Sequence, residues 1–310
     1  MKFYLLLFIN LSVAVSLNAQ NSLAEKLGYS AEDKLLIIHA DDLGVSHAQN
    51  SGSFEAITNG VVNSGSIMMP CPWVSEVAAF YQQNPNLDFG LHLTLSNEWD
   101  HLRWGTVASS DQVSSILNEQ GYMYPDCLEF SKHALLEDVE IELSAQIELA
   151  YDMGLKPTHL DAHMGCLVFT SAEVFEIYLK LGREYKIPCM LGRFFLKAAP
   201  QNFLDKITEQ DIVLERTFTA GPQDFDNGLD TYYQDLLKNK IMPGVQILLI
   251  HPARDNEELR AMAGSQIYWG AEWRQQDLDF FTSEKCKQIL QDENIKLITW
   301  GEIQKLYYNH

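Results

Sequence analysis

The chain has 310 residues and a formal charge of −20, with 42 Asp and Glu against 22 Lys and Arg. That balance argues against nucleic acid and anionic membranes as partners, because phosphate-rich surfaces are gripped by clustered Lys and Arg. It is compatible with a neutral or cationic substrate, although solubility alone would explain it, and 46% hydrophobic residues suffice to bury one large α/β core.

In chain order, Lys2, the mostly apolar run Phe3–Val15 and the small-residue exit Ser16-Leu17-Asn18-Ala19 form the pattern of a cleavable secretory signal over 1–19. The apolar run is shorter than the roughly 18–20 residues needed to span a bilayer. No later segment is longer, so the mature chain is expected to have no membrane span and to be periplasmic or extracellular. Residues 20–310 then read as one domain.

Short β-rich runs alternate with helical patterns, which predicts βα units and a mainly parallel sheet. Strands are expected at Leu35–His39, Ser64–Met69, Phe89–Leu95, Thr158–Ala162, Cys189–Leu191, Ile212–Thr217, Gln246–Ile250 and Lys296–Thr299. Helices are expected at Ser46–Asn59, Val74–Gln83, Leu136–Met153, Ala172–Tyr185, Thr231–Asn239 and Ser283–Asp292. The fold class is α/β, a TIM-barrel-like (β/α) barrel of eight strands with irregularities; a doubly wound open sheet is the structural alternative. The mixed stretch 97–132 interrupts the pattern and reads as a lid loop. Five scattered cysteines, Cys71, Cys127, Cys166, Cys189 and Cys286, form no zinc-binding spacing and leave at least one thiol unpaired. Trp99, Trp104, Trp269 and Trp273 fall in expected loops, where they either stack on a ligand or pack the lid.

Chemistry concentrates where these strands end. Ile37-Ile38-His39-Ala40-Asp41-Asp42-Leu43-Gly44 sets two acids directly after an apolar strand. Adjacent strand residues face opposite ways, so both acids serve one site only where the backbone turns. An unpaired buried carboxylate is costly, and a metal or a hydrogen-bond network removes that cost. His92 interrupts the apolar run Gly90–Leu95, and alternation puts His159, Asp161 and His163 on one face of the fourth strand. One carboxylate and two imidazoles from Asp42, His92 and His163 make an open divalent-metal set at the rim where barrel enzymes build their sites. His251 ends the apolar strand Ile247–Ile250 and titrates in the range needed to protonate a departing amine. Asp279 is a candidate to orient His251, and Arg193 to hold Asp41 ionised; a solvated acid and a surface ion pair are the plainer readings of those two.

These blocks resemble the YdjC/ChbG family of carbohydrate deacetylases. The match is carried by His39-Ala40-Asp41-Asp42-Leu43-Gly44, Gly90–Leu95, Pro157–His163 and His251-Pro252-Ala253, with Asp279–Ser283 a weaker fifth block. The resemblance implies a TIM-barrel-like fold and metal-dependent removal of N-acetyl groups from an amino-sugar-containing oligosaccharide or glycan. It assigns the metal to Asp42, His92 and His163, as magnesium, although the ligand types suit zinc equally. By the same analogy Asp41 is the general base and His251 the general acid, with His159 and Asp161 touching the ligands or substrate. The family's usual Asn stands as His39 here, and its His-rich run after the third block is Met164-Gly165-Cys166. An amidase or esterase for another acylated substrate, and an inactive sugar-binding protein, remain alternatives. A homodimer is compatible with the sequence.

Overall fold

The computed structural model describes residues 22–308, so the expected signal segment 1–19 lies outside it. Nine strands follow in chain order: β1 (Lys34–Leu43), β2 (Ser64–Ile67), β3 (Phe89–Leu93), β4 (Leu160–Ala162), β5 (Leu191–Gly192), β6 (Val213–Leu214), β7 (Arg216–Thr219), β8 (Gly244–Ile250) and β9 (Ile295–Leu297). All strand pairings are parallel. The main sheet has seven strands in the order β4-β3-β2-β1-β8-β7, with β9 against β1, and β5 pairs with β6.

The sheet curls. Leu160 exchanges 2.8 Å backbone bonds with Pro188 and Met190 just before β5, and Glu215 N–H reaches Val245 O at 2.8 Å beyond β6. The expected barrel-like parallel sheet is therefore present, but not as eight equal staves. The run expected as one strand over Ile212–Thr217 breaks at Glu215, so that β6 serves β5 and β7 serves β8. The last expected strand lies beside the lower half of β1, at Lys34–Leu36. Asn63 fills the fork where β9 gives way to β2, accepting from Ile38 N–H at 2.9 Å and donating to Ile298 O at 2.6 Å.

Alternation along β1 sorts its side chains. Leu36, Ile38 and Ala40 join the larger core, while Leu35 and Ile37 pack with Val245, Ile247, Ile298 and Trp300. His39 and Asp41 continue the Leu35/Ile37 parity. Helices at His47–Thr58, Val74–Gln83, Leu136–Asp152, Ala172–Tyr185 and Glu284–Asp292 match the expected ones closely. The helix expected over Thr231–Asn239 starts at Leu229 and ends in a widened turn, Leu236–Lys240. Helices at Ala271–Thr282 and Trp300–Tyr308 are additions.

The 97–132 stretch is packed down. Trp99, Trp104, Val113, Ile116, Met123 and Phe130 are buried. The Glu142 carboxylate accepts from Val107 N–H at 3.0 Å and Ala108 N–H at 2.9 Å. Gln146 holds both backbone groups of Thr94 and donates to Glu142. A disulfide joins Cys127 to Cys166 across 39 residues of sequence; Cys71, Cys189 and Cys286 are buried thiols. Closing a loop of that length restricts the unfolded chain, so the Cys127→Ser/Cys166→Ser double variant should lose about 2–4 kcal/mol of stability. Urea midpoints of the oxidised wild type and the double variant check this.

Candidate metal centre

Strand alternation puts Asp41 beside His39 and would send Asp42 to the other face. The backbone corrects this: Asp42 takes φ 64° and Gly44 φ 94°, and the β1–β2 register shifts between Ala40 and Leu43. A side chain on Gly44 would be strained by that φ and would also meet Val74, 2.8 Å from an added Cβ. The turn brings both acids to one rim, buried, as the sequence required of a shared site.

Asp42, His92 and His163 converge there. His92 Nε2 and His163 Nδ1 each lie 3.5 Å from Asp42 Oδ1, and that oxygen has no hydrogen-bond partner among the described residues. Each ring is anchored on its far side by a carboxylate. His92 Nδ1 donates to Asp161 Oδ1 at 2.6 Å and His163 Nε2 to Glu98 Oε2 at 2.8 Å. An imidazole that gives one N–H to a carboxylate presents the lone pair of its other nitrogen, which is how metal-binding histidines are oriented. Two lone pairs and an orphaned carboxylate oxygen fit a divalent cation and leave coordination positions open. Two neighbouring groups, His39/His159/Asp161 and Asp41/His92/Asp161, are also compact enough to hold an ion. In both, Asp161 is already spent on hydrogen bonds from His39 and His92, so the Asp42 group is the better site.

Arg274 supplies the balancing charge. Its guanidinium meets Asp42 Oδ2 at 2.8 Å and Gln49 Oε1 at 2.7 Å, while Nε donates to Trp269 O at 2.7 Å. Burial would raise the Asp42 pKa, yet Arg274, His163 and His251 hold it well below the ordinary carboxylate range. Burial likewise opposes charge on His163, but Glu98 and Asp42 carry it up to about 10 in the metal-free chain.

A match to the family model of YdjC-like proteins extends over residues 35–292, nearly all of the described chain. The chain belongs to that family. Two relatives are each named carbohydrate deacetylase. The one from Thermus thermophilus is 30% identical over 92% of this chain and 99% of its own length. The one from Thermoanaerobacter pseudethanolicus is 26% identical over 86% and 98%. A crystal structure from Enterococcus faecalis V583, provisionally named a cellobiose-phosphate cleavage protein, is 22% identical, with a TM-score of 0.70 over 87% of this chain and 99% of its own. It shows that the fold is shared.

Other candidate residues of this YdjC-like chain fall into place at different depths. His251 Nε2 sits 3.6 Å from Asp41 Oδ2, at the carboxyl end of β8. Asp161 lies beneath His92, and His159 lies deeper still, fully buried beside His39 and stacked on Trp300 at 5.1 Å. Neither Asp161 nor His159 is open to a substrate. Two expectations are corrected. Arg193 pairs with Glu215 at 2.8 Å on the surface, because its short strand ends away from β1; the guanidinium at the acidic pair is Arg274. Asp279 is bonded to Gln275 at 2.8 Å on the exposed side of its helix. Two residues earlier, Asp277 faces inward, accepting from His251 N–H at 2.9 Å and Tyr233 O–H at 2.6 Å. Trp99, Trp104 and Trp273 are core residues, and Trp269 stacks on Trp273 at 5.0 Å. Glu98, Arg274 and Asp277 were not singled out by sequence reasoning.

Burial pushes the Asp277 carboxyl up to about 7, against about 3.9 in an unfolded chain. The folded state then keeps a proton that the unfolded state releases. This carboxyl's contribution is therefore full below about pH 4 and lost as the pH rises through about 7. Asn can serve both partners without charge, donating its amide to the Tyr233 hydroxyl and accepting from His251 N–H. Between pH 5 and pH 8, wild type should lose at least about 1 kcal/mol relative to Asp277→Asn. Urea titrations of both proteins at the two pH values measure the difference.

Proposed function

We propose that this chain is a metal-dependent hydrolase that removes N-acetyl groups from an amino-sugar-containing oligosaccharide or glycan. The observation that carries the metal assignment is the unpartnered Asp42 Oδ1 between His92 Nε2 and His163 Nδ1. Two imidazoles and one carboxylate favour zinc or a similar transition metal over magnesium, which prefers oxygen ligands and its own water shell. The names of the relatives supply the substrate class.

A divalent cation held by Asp42, His92 and His163 would supply Lewis-acid polarisation of the acetamido carbonyl and a more acidic water near neutral pH. Asp41 Oδ1 is tied to His39 at 3.0 Å, which leaves Oδ2 to accept the proton of the attacking water. His251 Nε2, facing that oxygen, delivers a proton to the amine nitrogen as the C–N bond breaks. A C–O bond forms, acetate leaves, and the sugar keeps a free amine. Asp161 and Glu98 hold the two imidazoles in orientation throughout.

The test is acetate release from N-acetylated chito-oligosaccharides, with acyl peptides and simple esters as comparison substrates. Metal titration of the chelated protein runs in parallel. Wild type should bind one equivalent of zinc and release acetate only when loaded, whereas His92→Ala and His163→Ala should fail at both. Acetate release that survives full chelation and both substitutions would sink the reading.

The proposal includes export from the cytoplasm, supported by the residue pattern of 1–19 and by the Cys127–Cys166 bridge, which suits an oxidising compartment. Amino-terminal sequencing of the protein recovered outside the cytoplasm should begin near Gln20; recovery of the uncut chain in the cytoplasm would refute it.

A further inference from the structure

His39 lies on β1 two residues before Asp41, and its ring is wholly buried. Its Nε2 lies 3.0 Å from Asp41 Oδ1, 3.0 Å from Asp161 Oδ2 and 3.0 Å from Ser66 Oγ. Its Nδ1 lies 2.9 Å from Ser64 Oγ. An ionised carboxylate only accepts hydrogen bonds, so Nε2 carries a proton directed to Asp161 Oδ2, while Asp41 Oδ1 meets the same nitrogen as an ion-pair contact.

We infer that His39 is a positioning residue: its buried ring holds the Asp41 carboxylate by a close ion-pair contact and, through its hydrogen bond to Asp161, the His92 ring. This rests on the deacetylase reading above, which assigns the base to Asp41 and a ligand to His92.

The linkage Asp41–His39–Asp161–His92 is continuous, with contacts of 3.0, 3.0 and 2.6 Å. Moving any member moves the proton acceptor relative to a metal ligand. The bridge is walled in. His159 meets the His39 ring edge-on at 4.9 Å and stacks on Trp300. Gly90 gives that stack its room, since a Cβ there would come within 2.5 Å of the His159 ring. His159 thus acts as a spacer, bonded through Nδ1 to Thr158 Oγ1 at 3.0 Å, with Nε2 unpartnered among the described residues. With Oδ1 pulled inward by His39, Asp41 turns Oδ2 towards His251 and the mouth of the site. Without the bridge, Asp41 Oδ1 keeps only the long 3.5 Å bond from Ser66 Oγ, and a displacement of about 1 Å in a reacting group is costly.

The experiment compares His39→Asn and His39→Gln with wild type in zinc-loaded protein. Asn still reaches the serines but is too short for both carboxylates; the longer Gln amide recovers part of the reach. His39→Asn should lose on the order of 10–100-fold in kcat, with KM and zinc stoichiometry unchanged, and His39→Gln should restore part of the rate. Wild-type kcat in His39→Asn, or equal loss of rate, KM and zinc binding in both variants, would overturn the proposal. A readout independent of turnover is the His39 Hε2 proton in 15N-histidine-labelled protein. It should resonate at low field and shift upfield in both Asp41→Asn and Asp161→Asn. If the wild type releases no acetate, the deacetylase reading fails while this resonance still decides the bridge. A proton that responds to neither substitution refutes the bridge even in an active enzyme.

Discussion

Replacing Arg274 with Met is expected to lower the stability of the metal-free protein by about 3–5 kcal/mol at neutral pH, the usual result of removing one partner from a buried ion pair. The Arg274 side chain is 2% exposed and that of Asp42 4%, so no solvent takes over the charge. Met keeps the apolar stem but abandons Asp42, Gln49 and Trp269 O together, and leaves the face of Trp99 that the guanidinium covers at 5.1 Å. The pH dependence separates this from a packing defect. The Asp42 pKa is depressed in the folded state, so its contribution is present above the unfolded value of about 3.9 and fades as the pH falls through the folded value. The gap between wild type and variant should therefore be widest near pH 7 and narrow towards pH 3. Urea unfolding of both chelated proteins across that range measures it, and a constant gap, or one under about 1 kcal/mol at pH 7, would contradict the charge argument.

The contrast between Arg274 and Arg193 shows what the sequence disclosed and what it withheld. Asp41, Asp42, His92, His163 and His251 each end or interrupt an apolar strand, a pattern local enough to read directly, and the structure brings all five together. Period-two alternation on β4 placed His159, Asp161 and His163 on one face, which the structure resolves into three depths. Their anchors follow no local pattern. Glu98 lies in an aperiodic stretch, and Arg274 and Asp277 lie in Ala271–Thr282, whose inward face carries an arginine and an aspartate beside Trp273, Leu278 and Phe281. Those buried charges blur the apolar stripe that marks a helix, so the segment looks like a loop. Arg193 was the cation expected beside Asp41 because it follows a short strand, but β5 pairs with β6 in a separate two-stranded sheet and not with β1. Likewise, nothing in Ile212–Thr217 announces the break at Glu215, because the break arises from two different neighbours claiming the two ends of one run.

His251→Ala should cost about 10²–10⁴ in kcat, the range typical of a positioned proton donor, while leaving metal stoichiometry intact. The ring has no part in the Asp42 triangle; it stands 3.6 Å from Asp41 Oδ2 at the mouth of the site. Its backbone N–H is pinned by Asp277, which fixes the start of the turn into Pro252. Burial lowers the His251 pKa below its ordinary value of 6.5, so the charged form is scarce at neutral pH before substrate binds. If that form is the acid, kcat/KM falls as pH rises through this titration, and the alkaline limb disappears in the alanine variant. The leaving group provides a second and independent discrimination. A sugar amine must gain a proton to depart, but 4-nitrophenolate does not. Hydrolysis of 4-nitrophenyl acetate should therefore be far less sensitive to His251→Ala than N-deacetylation. Equal losses on both substrates would mean that His251 supports the site's shape and does not deliver the proton.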